Sequence, residues 1–137
     1  MELTDQVGSQ FGIPSNPVAT NQLVGTPVYA TATSSTGAAI SASLPAVAGK
    51  TTYINGFVAG VDATAAFSNF VTLSLDGGTT THMNFTLAST TSVPGQVNID
   101  FPDPIPAKSA NTTIVVSILV GAGGTSKEAI SVFGYQL

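Results

Sequence analysis

Residues 71–87 read VTLSLDGGTTTHMNFTL. Val71, Leu73 and Leu75 alternate with Thr72 and Ser74, and Met83, Phe85 and Leu87 alternate with His82, Asn84 and Thr86. An apolar/polar period of two puts one set of side chains on each face of an extended chain, the signature of a half-buried strand. Asp76-Gly77-Gly78 between the two runs supplies residues that tolerate the backbone of a tight turn. The stretch therefore predicts a β-hairpin, with its second strand running from Thr79 to Leu87 and His82 on the polar face beside Thr80 and Asn84.

The same reading extends in both directions. Val97, Ile99 and Phe101 alternate with Gln96, Asn98 and Asp100, and Thr112–Val120 is dense enough in apolar residues for a strand buried on both faces. Further strands are expected at Pro27–Thr33, Ala38–Leu44, Thr52–Val61 and Ala129–Gln136. Pro94-Gly95 and the run Pro102-Asp103-Pro104-Ile105-Pro106 read as punctuation between them. Asp62–Ala66 and Ala107–Asn111 each fit a single helical turn, and no amphipathic helix is predicted. Eight short strands over residues 26–137 predict an all-β fold: a single antiparallel β-sandwich, with the eight-stranded jelly roll as the fitting architecture. An immunoglobulin-like sandwich is the alternative, but the chain has no Cys and no Trp to supply that fold's markers. No fixed-period repeat points to a propeller or β-helix.

Residues 1–25 keep neither period. Pro14, Pro17 and three glycines break them up, while Val7, Phe11, Ile13, Val18 and Leu23 make them too apolar for an inert tail. They are expected to form an extended N-terminal arm that packs on its own sandwich or on a neighbouring subunit.

The 137 residues suffice for one domain of ordinary size. Charged residues make up 7%, with three Lys and no Arg, against roughly 25% in a typical soluble domain. Ser and Thr, 33 together, must carry much of the solvation. So few cations argue against nucleic acid, whose affinity comes from phosphate neutralisation, and against recruitment to anionic membranes. The N-terminal sequence lacks the basic and apolar regions of a secretory signal, so no export by that route is expected.

The catalytic inventory is thin, and no enzyme activity, cofactor or metal is predicted. The single His82 has no nucleophile on a constrained turn to serve. Asp100 and Asp103 are the nearest carboxylate pair, a conceivable oxygen-rich calcium site, but Asp103 reads better as the start of a proline turn. Gly121-Ala122-Gly123-Gly124-Thr125 has a superficial likeness to a phosphate loop; without a following helix it reads as a hairpin loop. Most Phe residues fall at core parity or at strand ends, so a core role accounts for them, and without Trp there is no aromatic platform of the kind that sugar-binding modules usually present.

Three stretches carry a resemblance: Asp100-Phe101-Pro102-Asp103-Pro104-Ile105-Pro106-Ala107 followed by Ala110-Asn111-Thr112, Thr52-Tyr53-Ile54-Asn55-Gly56-Phe57, and the ending Gly134-Tyr135-Gln136. Over roughly residues 50–137 the chain resembles small virion proteins of tailed bacteriophages, similar to capsid decoration (cement) proteins and head-fibre bases. The resemblance implies a non-enzymatic β-sandwich that docks on the outer capsid surface and stabilises the shell. Its partner would be the major capsid protein and its state a homotrimer, assembled on the virion in the host cytoplasm. Phe11, Ile13, Pro14 and Val18 of the arm are the expected attachment residues. The rival expectation is a receptor- or glycan-binding domain of a phage fibre or tail tip.

Overall fold

The computed structural model describes residues 25–137. They form eight strands: β1 (Thr26–Ser34), β2 (Ile40–Leu44), β3 (Thr52–Asp62), β4 (Phe67–Ser74), β5 (Met83–Ser89), β6 (Gly95–Pro106), β7 (Ile114–Ile118) and β8 (Lys127–Gln136). One four-stranded sheet has the order β1-β8-β3-β6 and the other β2-β7-β4-β5, with every pairing antiparallel. Only β4 and β5 follow each other within one sheet; every other connection crosses the sandwich. Eight antiparallel strands wound between two sheets in this way form a jelly roll, so the predicted fold class holds. The arm expected at residues 1–25 lies, apart from Gly25, outside the described residues.

Alternation builds the core. Leu44, Ile54, Phe57, Val71, Leu73, Leu87, Ile114, Val116, Ile118, Ile130 and Val132 all point between the sheets and are buried. In β3 the buried positions are Thr52, Ile54 and Gly56, then Phe57, Ala59 and Val61. That change of parity is absorbed by a β-bulge, where the register shifts between Ile54 and Gly56 against both neighbouring strands. Against β8 one extra β3 residue lets both halves of an eleven-residue strand face the same core, while against β6 the excess lies on β6. Gly56 is required there because a Cβ would lie 2.3 Å from the Ile99 carbonyl oxygen.

Five local expectations are corrected. The proline run does not end a strand: Pro102, Pro104 and Pro106 lie inside β6. This is possible because β6 is a sheet edge and Phe101–Pro104, between Asp100 opposite Gly56 and Ile105 opposite Ile54, pair with no β3 residue, so the missing N–H groups cost no ladder bond and discourage addition of a further strand. The hairpin turn is longer than Asp76-Gly77-Gly78, since β5 begins at Met83 opposite Leu73 and Thr79–Thr81 belong to the loop. The Gly121–Thr125 run joins β7 and β8, which lie in different sheets, so it is a crossover and not a hairpin. Asp62–Ala66 and Ala107–Asn111 form bends and turns without a helical turn. The dense Thr112–Val120 segment contributes only Ile114–Ile118 to the central strand β7, leaving Leu119 and Val120 exposed beyond it.

Candidate functional site

The expected chemical groups are used structurally. His82 is partly buried in the β4–β5 loop, not on the polar face of a strand. Its amide donates to the Leu73 carbonyl at 2.8 Å, and its Nδ1 accepts from the Leu75 amide at 3.2 Å. Both bonds close the loop. Asp76 Oδ1 accepts from the Thr80 amide and the Ser74 hydroxyl, each at 2.8 Å. The Thr80 amide above all, with smaller help from the Thr80 and Ser74 hydroxyls, holds the Asp76 carboxyl at about 2, against partial desolvation.

A folded value below the ordinary 3.8 means that ionised Asp76 contributes stability above that pH, lost as pH falls toward about 2. Asp76→Asn, which keeps the Oδ1 acceptor, is expected to flatten this part of the acid dependence of the melting temperature. An identical slope in the variant would show that the loop does not couple to folding through this carboxylate.

Asp100 and Asp103 both remain exposed on β6. Among the described residues no group of three or more His, Cys, Asp or Glu side chains gathers in metal-binding geometry. The glycine-rich run interlocks with the β1–β2 loop. Gly37 has φ +64°, its amide donates to the Ser126 carbonyl, and a Cβ on Gly121 would sit 2.0 Å from the Gly37 carbonyl oxygen. These glycines permit backbone contact between two loops, a packing role and not a phosphate cradle.

Glu128, which no sequence signal singled out, is 2% exposed beneath the same loops. Its Oε2 accepts from the Ala122 amide while its Oε1 has no protein partner. Glu128→Ala leaves the Ala122 N–H without its acceptor and is expected to cost about 1–3 kcal/mol. Urea denaturation and faster amide exchange at Ala122 are the readouts; unchanged protection there would contradict the assignment.

The outer face of the β1-β8-β3-β6 sheet is the surface that alternation leaves to solvent. Register assembles it row by row. Tyr53 and Tyr135 face each other across β3 and β8 with ring centroids 5.0 Å apart and planes 6° from parallel. In the next row Tyr29, 74% exposed, stands opposite Phe133, whose ring lies against Gly56. The row beyond holds Thr31, Ser131, Val58 and Asn98, and the one after it Thr33, Ala129, Gly60 and Gln96. Asp62 and Lys127 follow, opposite each other. This half of the face forms an open groove of about 700 Å³.

The expectation that most Phe residues serve the core holds for Phe57, Phe67, Phe85 and Phe101, of which Phe57 and Phe85 meet edge to face at 5.3 Å and 70°, but not for Phe133. Phe70 is 53% exposed on the opposite sheet. The signal was present in β8: Ile130 and Val132 take one parity, Phe133 and Tyr135 the other. A second exposed surface lies at one end of the sandwich. β5 ends at Ser89 opposite Phe67 at the start of β4, and β7 runs toward that same end of β4. Val93 in the β5–β6 loop and Leu119 and Val120 after β7 are exposed there. Phe11, Ile13, Pro14 and Val18 lie outside the described residues.

No protein-family model matches the chain, and no curated protein matches it in sequence. Among solved structures, the virus-like particle of the extra small virus (XSV) of the giant freshwater prawn Macrobrachium rosenbergii has a chain with a weak structural likeness. The identity is 14% and the TM-score 0.32, over 94% of this chain and 91% of that one.

Proposed function

We propose that this chain is a structural virion protein that binds the outer capsid surface and stabilises the shell, with the major capsid protein as partner and a homotrimer as the working state. The observation that carries the proposal is a jelly roll with few long charged side chains and an exposed apolar end; the second contact is assigned to the arm. Exposed Val93, Leu119 and Val120 mark one end. At the other end Gly25 packs against the Tyr135 ring just before β1 begins. The ten residues of β8 that run between the two ends span about 33 Å. A protein that resists outward pressure must hold two neighbours at once, and contacts at opposite ends do so.

Apolar residues exposed together mark interaction surfaces. Ser and Thr also have less rotamer entropy to lose on docking than Lys, Glu or Arg, and few ions need to be stripped of water. Threefold symmetry multiplies each weak contact through effective concentration. Within this proposal Phe11, Ile13, Pro14 and Val18 are the attachment residues of the arm.

The outer-face groove favours a second reading, a receptor- or glycan-binding domain of a fibre or tail tip. Copy number separates the two. Quantitative mass spectrometry of purified particles should give this chain in numbers comparable to the major capsid protein; a handful of copies per particle would favour the fibre or tail position.

A further inference from the structure

All three tyrosines of the chain lie on the outer face of the β1-β8-β3-β6 sheet. Tyr53 and Tyr135 form one row with their rings stacked. Tyr29 and Phe133 form the next row, about 7 Å further along β8. Tyr29 is 74% exposed and the other three are half-buried. Aromatic rings gathered in the open on one sheet face mark a contact surface, since tyrosine offers a large apolar body with a polar tip.

The entry of the chain into β1 points to what covers this face. A Cβ on Gly25 would lie 2.4 Å from Cδ2 of Tyr135, so glycine is what lets the backbone run in contact with that ring. The chain therefore comes into β1 past an outer-face aromatic, and residues 1–24 join the sandwich at the edge of the patch.

The composition of that segment matches the face. From Gln6 to Val24 it carries no charged side chain, and the four rings carry no charge either. The strands beneath already bond each other's backbone groups, so an occupant of the face has no ladder to join and gains nothing from free N–H groups. Pro14-Ser15-Asn16-Pro17 suits that condition. Two prolines three residues apart favour a polyproline II turn, which puts both rings on one side, about 9 Å apart, and docks on aromatic surfaces. Phe11, Ile13 and Val18 flank the pair with further apolar side chains.

Reach favours this occupant over a separate molecule. Residues 18–24 can span up to about 24 Å between Pro17 and Gly25, whereas Tyr29 lies only about 13 Å along β1 from Gly25. A segment tethered so closely has an effective concentration on the order of millimolar. A contact too weak to hold a free peptide is then occupied for much of the time.

We propose that, in the free protein, residues 11–18 dock on the outer face of their own β1-β8-β3-β6 sheet, with Pro14 and Pro17 against Tyr29, Phe133 and the Tyr53–Tyr135 pair. The inference stands on this face and not on the capsid proposal. Where the same residues attach to a capsid, docking exchanges one apolar contact for another.

The chain has no Cys, so Ser15→Cys gives the full-length protein a single site for a nitroxide label. Paramagnetic broadening of amide signals, measured without capsids, then maps where residue 15 lies. Signals of Tyr29, Thr31 and Phe133 are expected to lose at least half their intensity relative to the reduced label. Those of Phe70 and Thr86, paired on the opposite sheet, should lose little. Pro14→Ala/Pro17→Ala, which alters no residue of the jelly roll, should restore at least half of the lost intensity.

Refolding spin-labelled protein together with isotope-labelled protein that lacks the spin label separates the copies. Broadening in that mixture should be weaker than in the singly labelled chain. Equal or stronger broadening would place the segment on a neighbouring copy and overturn the proposal. So would intensity unchanged on this face, equal loss on both sheets, or a loss that the proline double variant leaves intact.

Discussion

Phe57→Ala is expected to lower the stability of the folded domain by about 3–5 kcal/mol, a large fraction of the 5–15 kcal/mol typical of a whole domain. Phe57 is 0% exposed, lies just after the β3 bulge, and presents its ring to Phe85 across the sandwich. Truncation removes the largest fully buried side chain and leaves a cavity bounded by strands of both sheets. A bulged strand pinned between β8 and β6 has little room to collapse into that space, which places the cost at the upper part of the range. Urea denaturation should show the midpoint shift with little change in slope, and the melting temperature should fall by more than about 10 °C. A loss below about 1 kcal/mol would mean that the two sheets do not meet through this residue.

Deleting residues 1–20 is expected to abolish capsid binding while leaving the sandwich intact. The eight strands and their core lie wholly within Thr26–Gln136, so none of the interactions described in the jelly roll is removed. Under the proposed arrangement the arm supplies one of two contacts needed to bridge neighbours, and a trimer would lose three such contacts at once. The loss in apparent affinity is then on the order of 10²-fold or more, the scale of avidity from linked sites. Co-sedimentation of the deleted protein with bare capsids reads this directly, with circular dichroism as the control for folding. Binding equal to that of the full chain would remove Phe11, Ile13, Pro14 and Val18 from any role in attachment.

Much of the fold was legible because its strands alternate cleanly. The β4 and β8 patterns each specify a buried face by period alone, and eight such runs without a helix leave few architectures. Misreadings occurred where tertiary position outweighs local preference. Proline signals a break unless its strand is an edge, and nothing within Pro102–Pro106 says that β6 has a neighbour on one side only. The β3 bulge shows in sequence only as a change of apolar parity between Ile54 and Phe57, and that break alone does not say that both halves belong to one strand. Asp76-Gly77-Gly78 suggests a turn that ends before Thr79; the Ser74, Asp76 and His82 side chains instead bond neighbouring backbone groups and stabilise a longer loop.

The candidate surface was less legible than the fold. Phe133 and Tyr135 share the outer parity of β8, yet the expectation that most Phe residues fill the core hid Phe133. The groove is a product of register: Thr33, Ala129, Gly60 and Gln96 come from four strands and meet only after the sheet is ordered β1-β8-β3-β6. Glu128 was invisible for a similar reason, since its partner amide at Ala122 lies in a crossover whose path depends on both sheets.

Imaging the native particle bears most directly on the proposed capsid role. A cryo-EM reconstruction of the virion at side-chain resolution should show this jelly roll on the outer surface, as trimers at sites between capsomers. Residues 1–20 should run onto the major capsid protein, and the Val93, Leu119 and Val120 end should be covered by a second subunit. Density for this fold confined to a fibre or tail tip, or an outer shell without it in a particle that contains the chain, would contradict that role.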